Sequence, residues 1–150
     1  MTLTEKISAD MTAAMKSGEK LRLETLRTIR AALSEKQVEK RPSGGMKPDD
    51  EIAVLSAAGK KRKEAATIYR ENGRADLAEQ EEKELAIIQE YLPKQLSEDD
   101  VIAKVKEVIA LAGASSAADF GKVMPLVMKE LKGKADGKLI QETVKRLLGA

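Results

Sequence analysis

Apolar positions recur at three- and four-residue spacing almost everywhere along the chain, and no stretch alternates with period two. That pattern predicts helices throughout. Thr2-Leu3-Thr4-Glu5 has the form of a capping box, and Leu3, Ile7, Met11 and Met15 continue from it at helical spacing. Gly18 breaks or bends this helix before a longer one, from about Glu19 to Glu39, whose buried stripe is marked by Leu26, Ile29 and Leu33. Arg41-Pro42-Ser43-Gly44-Gly45 is the clearest loop. Pro48 suits the first turn of a third helix, which runs to Asn72-Gly73, where glycine can take the left-handed stop. A fourth helix spans about Ala75 to Tyr91 and is ended by Pro93.

Ser97-Glu98-Asp99-Asp100 opens a fifth helix with a capping residue, Val101, Ile102, Val105, Val108 and Ile109 give it an apolar face, and Gly113 closes it. Two short helices follow, near Asp119–Lys132 and Asp136–Leu148, separated by Gly133. Pro125 lies inside the first of these: it either kinks a helix begun at Asp119 or starts the regular helix itself. The expectation is an all-α protein in two small helical parts. A helical-hairpin region fills residues 1–92, and a three-helix domain fills 97–150, near the lower size limit for an independent core.

Composition narrows the chemistry. Apolar residues are 42% of the chain and charged residues 35%, enough aliphatic surface to close a core. There is no cysteine, histidine or tryptophan. Their absence removes disulfide frameworks, zinc fingers, thiol nucleophiles, Ser-His triads and imidazole acid–base catalysis. No apolar run approaches the roughly 18 residues of a membrane span, and residues 1–6 lack the pattern of a signal peptide. A reducing, cytoplasmic setting is expected. The net charge is only +2, but it is uneven. Residues 1–92 carry 17 basic and 17 acidic side chains, whereas from Phe120 onward the balance is 7 to 3. A local surplus of this kind can steer an anionic partner, and is also found on ordinary solvated helices.

At 100° per residue, two charges fall at the centre of apolar arcs: Arg62 in the third helix and Glu81 in the fourth. The Asn72-Gly73-Arg74 turn makes those helices antiparallel, with Arg62 11 residues before Gly73 and Glu81 8 after it. The two positions then differ in height by about 4–5 Å. An Arg62–Glu81 ion pair is expected, with Glu84 as the next candidate. The pair is either a buried bridge that fixes register or part of an interface. In the sixth helix Phe120, Val123, Val127 and Leu131 face one way, and Lys122, Lys129 and Lys132 the other. Lys134, Lys138 and Lys145 extend the basic set. These lysines form either a phosphate-contacting surface or a solvated face. With three aromatic residues in the chain, a stacking platform for single strands is disfavoured.

Other readings fail. Gly133-Lys134-Ala135 lacks the earlier glycine and the final Ser/Thr of a P-loop. Glu79, Glu81, Glu82 and Glu84 point in different directions around their helix, so no metal site is expected. Ser115-Ser116 has no suitable base nearby and reads as a cap for the following helix.

Several segments nonetheless resemble a known family. Asp10-Met11-Thr12-Ala13-Ala14-Met15-Lys16, Arg22-Leu23-Glu24-Thr25-Leu26-Arg27 and Gly73-Arg74-Ala75-Asp76-Leu77-Ala78 look like stand-alone YqeY-like proteins. So do Glu90-Tyr91-Leu92-Pro93-Lys94-Gln95-Leu96, Asp119-Phe120-Gly121-Lys122-Val123-Met124 and Lys132-Gly133-Lys134-Ala135-Asp136-Gly137-Lys138. The latter part is also similar to the tail domain of the B subunit of the tRNA-dependent amidotransferase. The resemblance implies a two-part, all-helical GatB/YqeY-type protein, and its family label is a carbon–nitrogen ligase with glutamine as amido donor. The cradle for ATP and aminoacyl-tRNA and the amidase partner that this chemistry needs have no counterpart in the sequence. By resemblance, tRNA contact falls on Gly121, Lys122, Lys134 and Lys138, while Arg62, Arg74 and Asp76 go with the helical hairpin, whose turn is Gly73, Arg74 and Asp76. The leading expectation is a tRNA-binding or tRNA-enzyme accessory module that is not catalytic alone and needs no cofactor. The alternative is a helical adaptor for an amidotransferase or aminoacyl-tRNA synthetase.

Overall fold

A computed structural model of the chain describes residues 1–149. They form seven α-helices and two short 3-10 turns, with no strand among the described residues. The helices are α1 (Leu3–Ser17), α2 (Lys20–Lys40), α3 (Pro48–Glu71), α4 (Ala75–Gln89), α5 (Glu98–Ala112), α6 (Phe120–Leu131) and α7 (Gly137–Leu147). The fold is all-α. Among the described residues no helix is long and apolar enough to cross a membrane. The chain divides into two compact units, one covering Met1–Leu92 and one beginning at Pro93.

In the first unit, α1 starts on the Thr2 cap: the Thr2 hydroxyl accepts from the Glu5 N–H at 3.1 Å, and the Glu5 carboxylate accepts from the Thr2 N–H at 2.8 Å. Gly18 ends the helix at φ 76°, left-handed backbone that a glycine adopts without penalty. Helix α2 buries Leu26, Ile29 and Leu33 completely, and with Ile7, Leu55, Ile88 and Tyr91 they make the core. Helices α3 and α4 form a long antiparallel hairpin about Gly73. Its close approach depends on Gly59, where a Cβ would meet Leu85 Cδ1 at 3.3 Å. Helix α4 stops at Gln89, short of the expected Tyr91, because Glu90 to Leu92 close in turns ahead of Pro93.

In the second unit, the Ser97 hydroxyl accepts from the Asp100 N–H at 3.2 Å and opens α5, while Asp136 caps α7 by accepting from the Lys138 N–H. Val101, Val105, Val108, Val123, Val127, Leu131, Ile140, Val144 and Leu148 close one aliphatic core. Pro125 lies within α6 rather than starting it. Its missing N–H deprives the Gly121 carbonyl of its partner four residues on. Ser116 is the N-cap of the 3-10 turn Ala117–Asp119 that runs into α6, in line with the serine-based expectation, and Asp119 completes the cap. The Asp119 carboxylate accepts from the backbone N–H groups of Ser115 and Ser116, at 2.9 and 3.3 Å. Those hydrogen bonds hold the Asp119 carboxyl below the usual carboxylate range.

Candidate nucleic-acid interface

Helices α6 and α7 pack antiparallel. Lys145, near the end of α7, places its Nζ 5.6 Å from the centre of the Phe120 ring, at the start of α6. The Gly121–Lys122 end of α6 therefore lies beside the Lys145 end of α7, and Lys129 and Lys132 share the opposite end with Lys138. Lys122 and Lys129 are seven residues apart on α6, and so are Lys138 and Lys145 on α7. A seven-residue step returns to nearly the same face after about 10 Å. Each helix thus carries a pair of cations about two turns apart. The loop between them is fixed by its backbone: the Lys134 carbonyl accepts from the Leu96 N–H at 2.8 Å, and the Gly133 carbonyl from the Gln95 side chain at 2.7 Å. Lys122, Lys129, Lys132, Lys134, Lys138 and Lys145 are all exposed, as is Gly121. Among the described residues, none of these lysines forms an ion pair, whereas Lys104 in the same unit is bridged to Glu130 at 2.8 Å and to Glu107 at 3.6 Å.

The acidic and basic groups of the hairpin are arranged differently. Arg62 lies on the buried stripe of α3, in line with Leu55, Gly59 and Ala66, with its side chain 14% exposed. The carboxylate that reaches it is that of Glu84, at 3.6 Å from Nε, and not that of Glu81. The geometry of the turn supplies the reason. Arg62 is 11 residues before Gly73 and Glu84 is 11 after it, so they sit at one level of the antiparallel pair. Glu81 instead lies against Glu84, and burial, together with this neighbour, raises the Glu84 pKa despite Arg62. Arg62 Nη1 donates to the Ala58 carbonyl at 3.2 Å, while its buried Nε makes no hydrogen bond among the described residues. At the tip, Gly73 turns at φ 71° and Arg74 grips Asp76 through two hydrogen bonds of 3.2 Å. Arg70 forms a two-pronged bridge to Glu82 at 2.8 Å. No group of three or more acidic side chains among the described residues could hold a metal ion.

A polar network at the base of the hairpin is invisible to periodicity. The Arg22 guanidinium donates to Glu90 at 2.7 Å and to the Tyr91 hydroxyl at 3.2 Å, and that hydroxyl donates to Asp10. Burial and the Asp10 hydrogen bond push the Tyr91 phenol well above its ordinary pKa. Lys6 lies over the ring, 5.4 Å from its centre. Asp10, Arg22 and Glu90-Tyr91 stand in three separate segments of the sequence, and the fold brings them to one place. A tyrosine two residues before the proline that follows α4 is the one signal in the sequence, since a buried phenol normally finds a partner.

A family model described as Yqey-like protein matches residues 4–148. The chain belongs to the YqeY-like family. A search of the curated proteins finds no match. The YqeY-like match spans both compact units.

Proposed function

We propose that this YqeY-like protein is a tRNA-binding or tRNA-enzyme accessory module, related to the amidotransferase tail domain and without catalysis of its own. The observation that carries this reading is the set of exposed, unpaired lysines at both ends of the antiparallel α6–α7 pair. Ammonium groups held on rigid helices two turns apart can each meet a phosphate oxygen, which positions a polyanion without reading its bases. Gly121 and Gly137 add open backbone at the two helix starts, since a Cβ at either would meet nothing within 4 Å. The few aromatic side chains favour a folded, backbone-presenting RNA over stacked single strands. An amide-transferring activity gains no support from the side chains present.

The test is binding to bulk tRNA and to a duplex DNA control across several salt concentrations. Binding to tRNA that exceeds the control and falls steeply with salt is expected. Replacing Lys122, Lys134 and Lys138 by Gln should flatten the salt slope by roughly one for each phosphate no longer neutralised. Absence of binding even at low salt would send the search to a protein partner.

A further inference from the structure

Helices α1 and α2 enclose a groove of about 190 Å³ that neither the lysine surface nor the Tyr91 network uses. Met11, Met15 and Leu23 form its apolar part, and Arg27 and Arg30 its basic wall. We propose that this groove docks an acidic amphipathic helix of a partner protein, an apolar side chain seated on the methionines and carboxylates on the two arginines.

Size and chemistry select that occupant. Sites for small molecules usually enclose roughly 300–1,000 Å³. A groove of 190 Å³ holds one or two side chains, the scale of an anchor on a helix that lies across it. Met15 is 58% exposed, a large apolar side chain left in water beside the half-buried Met11. Unbranched thioethers repack around differently shaped anchors, which makes methionine a frequent lining of helix-binding grooves.

Charge then specifies the sign of the partner. Arg22, Arg62, Arg70 and Arg74 of the same unit each meet a carboxylate. Arg27 and Arg30 meet none among the described residues. Arg30 is instead oriented by hydroxyls, its Nε donating to Ser8 at 2.9 Å and its Nη1 to Ser34. This guanidinium is held in place without being neutralised, a preorganised fork for a carboxylate from outside. An RNA phosphate would satisfy the arginines but would leave the thioether floor uncovered, and no aromatic side chain stands there for a base. The inference is independent of tRNA binding, which it places on other helices.

The experiment uses the full chain with methyl-labelled methionine. Probes are a designed helical peptide with leucines at i, i+3 and i+7 flanked by glutamates, the same peptide with lysine for each glutamate, and bulk tRNA. Met11→Leu and Met15→Leu variants assign the two methyl signals. The acidic peptide should shift both signals, the basic peptide neither, and Arg27→Gln should weaken the acidic peptide about tenfold. Arg27 is exposed, so that variant should keep the helical signal of the parent. Lys138→Gln should bind the peptide unchanged. Unmoved Met11 and Met15 signals, an equal response to the basic peptide, a shift caused by tRNA instead, or undiminished binding by Arg27→Gln would each overturn the proposal.

Discussion

In the unit Met1–Leu92, helices distant in sequence are tied by polar side chains as well as by an aliphatic core. The unit that begins at Pro93 closes on valine, leucine and isoleucine and keeps most of its cations outside. In the first, the Glu51 carboxylate is buried and accepts from both the N–H and the hydroxyl of Thr4, tying the start of α1 to the start of α3. Asp10, Arg22, Glu90 and Tyr91 tie the base of the hairpin to α1 and α2. In the second, Lys104 of α5 pairs with Glu130 of α6 at the surface. Equal numbers of opposite charges are what internal cross-linking requires, and an unmatched surplus is what an external polyanion requires. The balance is 17 to 17 in residues 1–92 and 10 to 8 in residues 93–150, where the surplus is concentrated from Phe120 onward, at 7 to 3.

The sharpest test of the contrast is Leu131→Ala, which opens a cavity in a core that has little else to hold it. A loss of about 2–5 kcal/mol is expected, read by chemical denaturation. Residue-resolved amide exchange should show it concentrated in α5, α6 and α7; spread evenly over both units, the loss would erase the distinction. Tyr91→Phe should cost the first unit about 1–2 kcal/mol, because Asp10 and Arg22 lose a shared hydroxyl where water is scarce. A neutral outcome in thermal unfolding would mean that the network adds nothing to stability.

Glu84→Gln probes the hairpin more gently. The folded state raises the Glu84 pKa, so it binds that proton more tightly than the unfolded chain does. The stability this contributes is complete below the ordinary carboxylate pKa and is lost as pH rises through the raised value. Removing the charge should therefore leave neutral-pH stability unchanged or raised, by less than about 1 kcal/mol, and remove that part of the pH dependence. Marked destabilisation at neutral pH would show instead that Arg62 depends on a full negative charge. Asp50, Asp76, Glu82, Asp119 and Glu130 are shifted downward by their partners, so their contributions have the opposite sign and fade on acidification. The smallest stability effect belongs to the triple change of Lys122, Lys134 and Lys138 to Gln, within about 0.5 kcal/mol on denaturation.

The helices are legible in the sequence because their stops are local. Thr2, Gly18, Gly73, Ser97 and Gly113 each act on the few residues beside them, and the caps form where the sequence places them. What escapes depends on distance through the fold. Gly59 reads as an ordinary helical glycine until α4 is laid against it, and Tyr91 reads as the last residue of a helix until Asp10 arrives from 81 residues away. The choice between Glu81 and Glu84 turns on register: both lie within an arginine's reach, and the symmetry of the turn decides between them. Pro125 misleads locally, since a proline suits a first turn and costs a hydrogen bond in an interior, and here it lies inside α6 all the same. The lysines are legible as a charge excess, and their grouping at two ends of a helix pair requires α6 and α7 to be placed side by side.

The equal spacing of Arg62 and Glu84 about Gly73 also makes the α3–α4 arm a telescoping element. One extra residue in a single helix between Arg62 and the turn would rotate everything beyond it by about 100° and lift it by about 1.5 Å, parting the ion pair. Seven residues added on each side would keep the facing stripes aligned and lengthen the arm by about 10 Å. The reach of the hairpin can therefore change in matched two-turn steps while its base, locked by Tyr91, stays as it is.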